Sequence, residues 1–239
     1  MRWDTLKPDL IKLAGLAPGG IKLADRLIQA LQLQPGQHVL DICTGRGLLA
    51  SAIASEYEVE VTCLASDEKS EFWTQATAAA LGVSDRVKVV MGPPAAIPLP
   101  AESFDRVYCL AHPYPHAASP GVVREIYRVL AADGVVGLAG PAALGNETPD
   151  YMRAALRELE GVTLRTPAYT ALLFAREGFY IAAAEYFPQS FDHWKAWLED
   201  APHEIVSDAV RKAVVEDGGR WLSLGLIVLK KPPKPRWAV

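Results

Sequence analysis

The chain has 239 residues, half of them apolar, and a net charge of −4. That is enough for one substantial core, and the acidic balance supplies no general attraction to nucleic acid or to an anionic membrane. Gly and Pro break the longest apolar stretches, as in 135–145, so no segment is expected to span a bilayer, and Met1-Arg2-Trp3-Asp4 lacks the apolar run of a secretory signal.

Helical spacing over Ile21 to Leu33 predicts a first helix, stopped by Pro35-Gly36. His38-Val39-Leu40-Asp41 reads as a buried strand, followed by a turn containing Gly45 and Gly47 and a helix start at Leu48-Leu49-Ala50. Val59 to Leu64 is a second strand, Glu68 to Leu81 a helix ended by Gly82, and Val87 to Met91 a third strand. Ile97 to Asp105 leads into a fourth strand through Leu110, the helical Arg124 to Leu130, and, after Ala131-Ala132-Asp133-Gly134, a strand over Val135 to Ala139. Such alternation implies parallel βαβ units with right-handed crossovers.

After Pro141 the pattern changes. Thr148-Pro149 predicts an N-cap and first turn for a helix through Glu160, and Tyr169 to Glu177 a further helix ended by Gly178. Phe179 to Phe187 and Trp221 to Leu229 are β-rich and suited to an antiparallel hairpin. Between them, residues 188–218 form an insertion with amphipathic stretches at Phe191 to Leu198 and Ile205 to Val215. An insertion of that size more often lines a substrate pocket or a subunit contact, so an oligomer stays open. The tail from Lys230 to Arg236 reads as a disordered end whose basic character is slight support for a partner.

A strand that feeds a tight turn and a helix start brings backbone N–H groups to the carboxyl edge of a sheet, where small ligands bind. Glycines at 45 and 47 allow close approach of the backbone, and Asp41 is placed to hold an ammonium group or to cap the turn. Alone, such a turn is a weak signal.

The succession of Val39-Leu40-Asp41 with Gly45 and Gly47, Leu99-Pro100 to Phe104-Asp105, and Arg124-Glu125 through Arg128-Val129-Leu130 with Asp133-Gly134 resembles the class I S-adenosylmethionine-dependent methyltransferases. The likeness is closest to their small-molecule, type 11 and quinone-biosynthesis branch, with Ala17-Pro18-Gly19-Gly20 as its lead-in. It implies an α/β, Rossmann-like, seven-stranded and mostly parallel sheet, with helices on both faces and a C-terminal antiparallel hairpin. It implies one methyltransferase domain over 1–239: a cofactor-binding core at 17–140, a C-terminal part at 141–230 holding the insertion, and a tail at 231–239.

The resemblance also implies S-adenosylmethionine as cofactor and a small-molecule methyl acceptor, in a cytoplasmic enzyme. Asp41, Cys43, Thr44, Gly45 and Gly47 would frame the methionine half, Ala65 and Ser66 would lie by the ribose, Pro94 and Ala95 by the adenine, and Leu110 and Ala111 would form the floor. Three departures stand out. Cys43 replaces the first glycine of the motif, Ala65 replaces the acid that takes the ribose hydroxyls, and Pro93 replaces the acid that holds the adenine amino group. Ser66, Asp67 or Glu68 could serve the ribose instead, or Asp67 and Glu68 could merely favour a helix N-terminus.

Methyl transfer from a sulfonium mainly requires alignment of the nucleophile, with a general base only where that nucleophile is protonated. His112-Pro113-Tyr114-Pro115-His116 follows the fourth strand. His112 or His116 as base and Tyr114 as an orienting hydroxyl compete there with a Pro-stiffened solvated loop, the favoured reading. Prolines exclude a regular helix between the two histidines, and no metal is expected. Cys43, Cys63 and Cys109 read as small buried hydrophobes in a reducing compartment. Trp73 and the stripe Phe191, Trp194, Trp197 and Leu198 read as packing, and Asp192 and His193 as surface.

Two rivals remain: a degenerate methyltransferase-like binding or regulatory protein, suggested by Ala65 and Pro93, and a nucleotide-cofactor oxidoreductase, disfavoured because it too needs an acid on the ribose. A nucleic-acid methyltransferase is disfavoured by the absence of a basic stripe.

Overall fold

A computed structural model describes residues 18–110, 119–158, 163–201 and 206–234. Its strands are β1 (His38–Asp41), β2 (Glu60–Ala65), β3 (Val87–Met91), β4 (Phe104–Leu110), β5 (Leu130–Ala143), β6 (Tyr180–Tyr186) and β7 (Leu222–Lys230). They form one sheet in the order β3-β2-β1-β4-β5-β7-β6. The pairs among β1 to β5 are parallel, whereas β7 runs antiparallel to both β5 and β6. The expected seven-stranded, mostly parallel sheet is therefore present, with β7 inserted between β5 and β6.

The helices are α1 (Gly20–Leu31), α2 (Leu48–Tyr57), α3 (Glu68–Ala80), α4 (Pro120–Val129), α5 (Asp150–Glu158), α6 (Pro167–Arg176), α7 (Ser190–Asp200) and α8 (Asp208–Asp217). Side chains alternate across a strand, so a sheet covered on both faces needs near-continuous apolar strands. Val39, Cys63 and Tyr108 face one core with Leu23, Leu27 and Leu31 of α1 and Ile53 of α2. Their neighbours Leu40, Leu64 and Cys109 face the other, with Val122 and Ile126 of α4 and Phe174 of α6. At Gly137 of β5 a Cβ would stand 2.6 Å from Leu27 Cδ1, so glycine lets α1 lie directly on the strand.

A third cluster joins α5, α7 and α8 to the end of β5 and the start of β7. Trp194 and Leu198 of the insertion are buried in it, while Phe191 and Trp197 pack partly against it, so the aromatic stripe is core. Asp217 at the end of α8 is fully buried and fully paired. Its carboxylate accepts from Tyr151 Oη at 2.8 Å and from the amides of Gly219, Trp221 and Leu222 at 3.0–3.1 Å. One side chain thus ties α8 to α5 and to the first residues of β7.

Several expectations need correction. The fifth strand extends past Val135 to Ala139 at both ends: it starts at Leu130, which pairs with Phe104, and Pro141 does not end it. The last β4 partner of β5 is Ala139, and beyond it Gly140 to Ala143 pair with β7 alone, so the missing proline N–H has no ladder to break there. The fourth helix starts at Pro120, whose fixed φ suits a first helical position, and not at Arg124. The fifth begins at Asp150, with the Pro149 carbonyl accepting from Met152 and Arg153, so Thr148 is not its cap.

His193 is half-buried, its ring 5.2 Å from that of Phe187, and is not a simple surface residue. The start of the tail is tied down. Lys231 is 8% exposed and donates from Nζ to the carbonyls of Tyr127 and Leu130 at 2.9 and 2.7 Å, neutralising the C-terminal end of α4. Lys234 pairs with Glu102 at 2.6 Å. These two lysines are tied to the fold at the start of the tail.

Candidate active site

At the end of β1 the chain turns through residues 42–47 into α2. The Gly47 amide donates to the Thr44 carbonyl at 2.8 Å. Gly47 has φ +71°, and a Cβ there would meet Thr74 Cα at 2.8 Å, so conformation and space both demand glycine. Gly45, with φ +55°, instead has nothing within 4 Å of where a Cβ would stand.

Asp41 anchors this turn from beneath. Only 2% exposed, it accepts from Tyr108 Oη at 2.7 Å on one oxygen and from the Cys43 amide at 3.0 Å on the other. The β1–β4 register sets Asp41 beside Tyr108, which places the phenol for this bond. Burial raises the Asp41 carboxyl to about 6, against the opposing pull of Tyr108 and the Cys43 amide. Burial and the adjacent Asp41 push the Tyr108 phenol well up, so near neutral pH it stays a neutral donor to an ionised carboxylate. Thr44 Oγ1 is buried without a hydrogen bond of regular geometry, although it lies near enough to Asp41 to favour the carboxylate's charge.

A cavity of about 550 Å³ opens beside this turn, within the range of small-ligand sites. Cys43, Thr44 and Gly45 form one side, Ser66, Asp67 and Ser70 at the start of α3 another, and Gly92 to Ala95 after β3 a third. Ile42, Leu64 and Val122 add apolar surface, and Ser119 stands at the start of α4. Asp67 is the N-cap of α3. It accepts from the Ser70 amide at 2.8 Å on one oxygen, and from the hydroxyls of Ser66 and Ser70 at 3.0 and 3.2 Å on the other. These bonds hold its carboxyl below the usual range.

Eight of the residues singled out in the sequence thus surround one cavity: Cys43, Thr44, Gly45, Ser66, Asp67, Pro93, Pro94 and Ala95. Asp41, Gly47, Ala65 and Leu110 lie beside it and outside its lining. Asp41 and Gly47 shape the turn, and Ala65, fully buried, accepts from the Gly92 amide at 3.1 Å and so joins β2 to the third side. Ala111, His112, Tyr114 and His116 lie outside the described residues. The Cys109 sulfur hydrogen-bonded to Cys43, together with burial, holds that thiol well above its ordinary range, so it is a poor nucleophile. Trp73 is away from the lining, packed under the Arg46 guanidinium at 5.1 Å.

Sequence reasoning missed Ser70, Ser119, Val122 and the support from Tyr108. Ser70 follows the N-cap Asp67 by three positions and could have been found as a capping partner. The Asp41–Tyr108 bond depends on strand register, which leaves no local trace.

Residues 39–134 match the family model described as a methyltransferase domain. That segment is similar to a methyltransferase domain. It is similar to (+)-O-methylkolavelool synthase of Herpetosiphon aurantiacus, at 26% identity over 157 residues, covering 66% of this chain and 56% of the relative. It is similar also to 27-O-demethylrifamycin SV methyltransferase of Amycolatopsis mediterranei, at 32% identity over 125 residues, covering 52% of this chain and 46% of the relative. The chain thus spans about half the length of these curated relatives.

Among solved structures, geranyl diphosphate C-methyltransferase from Streptomyces coelicolor A3(2) superposes with a TM-score of 0.77 at 12% identity, covering 89% of this chain and 77% of the other. That likeness concerns the fold, the class I methyltransferase sheet. The cavity lies within the matched segment, at the carboxyl ends of β1 to β3.

Proposed function

We propose that this methyltransferase domain transfers a methyl group from S-adenosylmethionine to a small molecule. The observation that carries the reading is the cavity at the Gly45 turn, where one glycine leaves open space beside Cys43 and Thr44. The cofactor would supply an activated methyl on a sulfonium. The protein's task is then to bind, orient and exclude water.

In this reading Cys43, Thr44 and Gly45 receive the methionine half, on a turn that Asp41 and Gly47 shape. Ser66 lies by the ribose next to Ala65, and Pro94 and Ala95 by the adenine. Asp67 is the lining carboxylate nearest the position that Ala65 leaves without an acid. The acceptor would enter from the side of the segment after β4, where His112, Tyr114 and His116 are the first side chains to test as base or orienting groups. The insertion 188–218 belongs to the same domain and walls the acceptor side.

Both curated relatives reported above have names that denote oxygen-bound methyl groups, so an apolar molecule bearing a hydroxyl is the first acceptor class to offer. Among the described residues no helix is long and apolar enough to cross a membrane, and a cytoplasmic enzyme with a diffusible acceptor fits the acidic chain. Incubation with methyl-labelled S-adenosylmethionine and a panel of hydroxylated terpenoid and polyketide compounds should give a labelled product and S-adenosylhomocysteine in equal amounts. Tight binding of S-adenosylhomocysteine with no turnover on any acceptor would favour the degenerate binding protein instead.

A further inference from the structure

The third side of the cavity is made by a segment that cannot hold itself in place. Gly92 to Pro100 contains Pro93, Pro94, Pro98 and Pro100, so nearly half of its residues lack an N–H and it cannot join a strand ladder. Within it only short turns close, from the Ala96 amide to the Pro93 carbonyl at 3.0 Å and from the Leu99 amide to the Ile97 carbonyl at 2.8 Å. Its two ends are held by the Gly92 amide on the Ala65 carbonyl and the Ser103 hydroxyl on the Pro100 carbonyl, and its middle is fixed by α4. Glu125 Oε2 accepts from the Ile97 amide at 2.8 Å, and Arg128 donates from Nη2 to the Ile97 carbonyl and from Nη1 to the Leu99 carbonyl, each at 2.8 Å. The two side chains also hold each other, Arg128 Nε to Glu125 Oε1 and Nη2 to Oε2, both at 2.8 Å. Neither side chain lines the cavity, yet Val122 on the same helix does.

We infer that Glu125 and Arg128 are positioning residues that set the affinity of the cavity for the nucleoside half of its ligand, by clamping Ile97 and Leu99, which continue the Pro93–Ala95 wall, onto α4. The inference rests on the reading of this cavity as an S-adenosylmethionine site. A planar guanidinium serves two carbonyls and a carboxylate at once, which a single ammonium cannot. Side-chain pairing lowers the Glu125 carboxyl and raises the Arg128 guanidinium, so both stay ionised near neutrality.

Calorimetric titration of wild type, Arg128→Lys and the near-isosteric Glu125→Gln with S-adenosylhomocysteine and with 5′-methylthioadenosine, which lacks the amino-acid half, tests this. Both variants should bind both ligands about tenfold more weakly, the scale of one lost charge-assisted hydrogen bond. The proportional loss should match for the two ligands, and amide exchange over 92–99 should quicken while circular dichroism is unchanged. A folded variant with wild-type affinities, or one that loses S-adenosylhomocysteine but keeps 5′-methylthioadenosine, overturns the inference. If Arg128→Lys does not fold, Glu125→Gln decides on the same criteria. Wild type that takes up neither ligand contradicts the reading of the cavity itself.

Discussion

Asp41 is drawn in two directions. Burial disfavours its charge, while Tyr108 and the Cys43 amide favour it, and the balance leaves its carboxyl at about 6, above the ordinary 3.8. Between those values the folded chain holds a proton that the unfolded chain has released. Stability contributed by this group is therefore greatest below about 4, and is lost as pH rises through about 6. At 1.36 kcal/mol per unit this amounts to about 3 kcal/mol. Carboxyls held below their usual range, such as Asp67 and Glu125, act in the opposite sense, so the prediction concerns a difference. In denaturant titrations at several pH values, Asp41→Asn should gain on wild type by about 3 kcal/mol between pH 3 and 7. A pH-independent difference would show that the carboxylate is not carried buried as described.

The insertion helix α8 is tied to α5 and to the start of β7 by one buried carboxylate, Asp217, where four donors converge. Asp217→Ala leaves three amides and a phenol unsatisfied, and should cost on the order of 3–5 kcal/mol in thermal or denaturant unfolding. A loss below about 1 kcal/mol would mean that water replaces the carboxylate freely.

The same region shows where sequence reading reaches its limit. The first four strands were legible within a residue or so, because each is an apolar run bounded by turn residues and both sheet faces are covered. The fifth strand was cut short at its start because 131–134 reads as a turn, and at its end because Pro141 reads as a breaker, although the ladder shows that its N–H was never needed. The insertion's aromatic stripe declared its helix by spacing, yet nothing local told of Asp217 or of Lys231 bound to the end of α4. Half of the cavity was legible in the same way: residues 43–45 and 66 follow strand ends, whereas Ser119 and Val122 come from a helix whose Pro-Gly start reads as loop.

The molecule divides its labour along the sheet. β1 to β3, with the turn at 42–47 and the clamped wall at 92–100, build the cavity, while β5 to β7 with α5, α7 and α8 build a separate apolar cluster. The first part carries the family match, and the second is where relatives of one fold can differ in acceptor. Every functional statement depends on a nucleoside-bearing ligand seated between Gly45 and the Pro94-Ala95 wall. The most direct check is a crystal structure grown with S-adenosylhomocysteine in excess. Density with the amino-acid end at residues 43–45 and the base against Pro94 and Ala95 is the predicted result. A cavity filled by the protein's own side chains, with the ligand elsewhere or not bound, would contradict it.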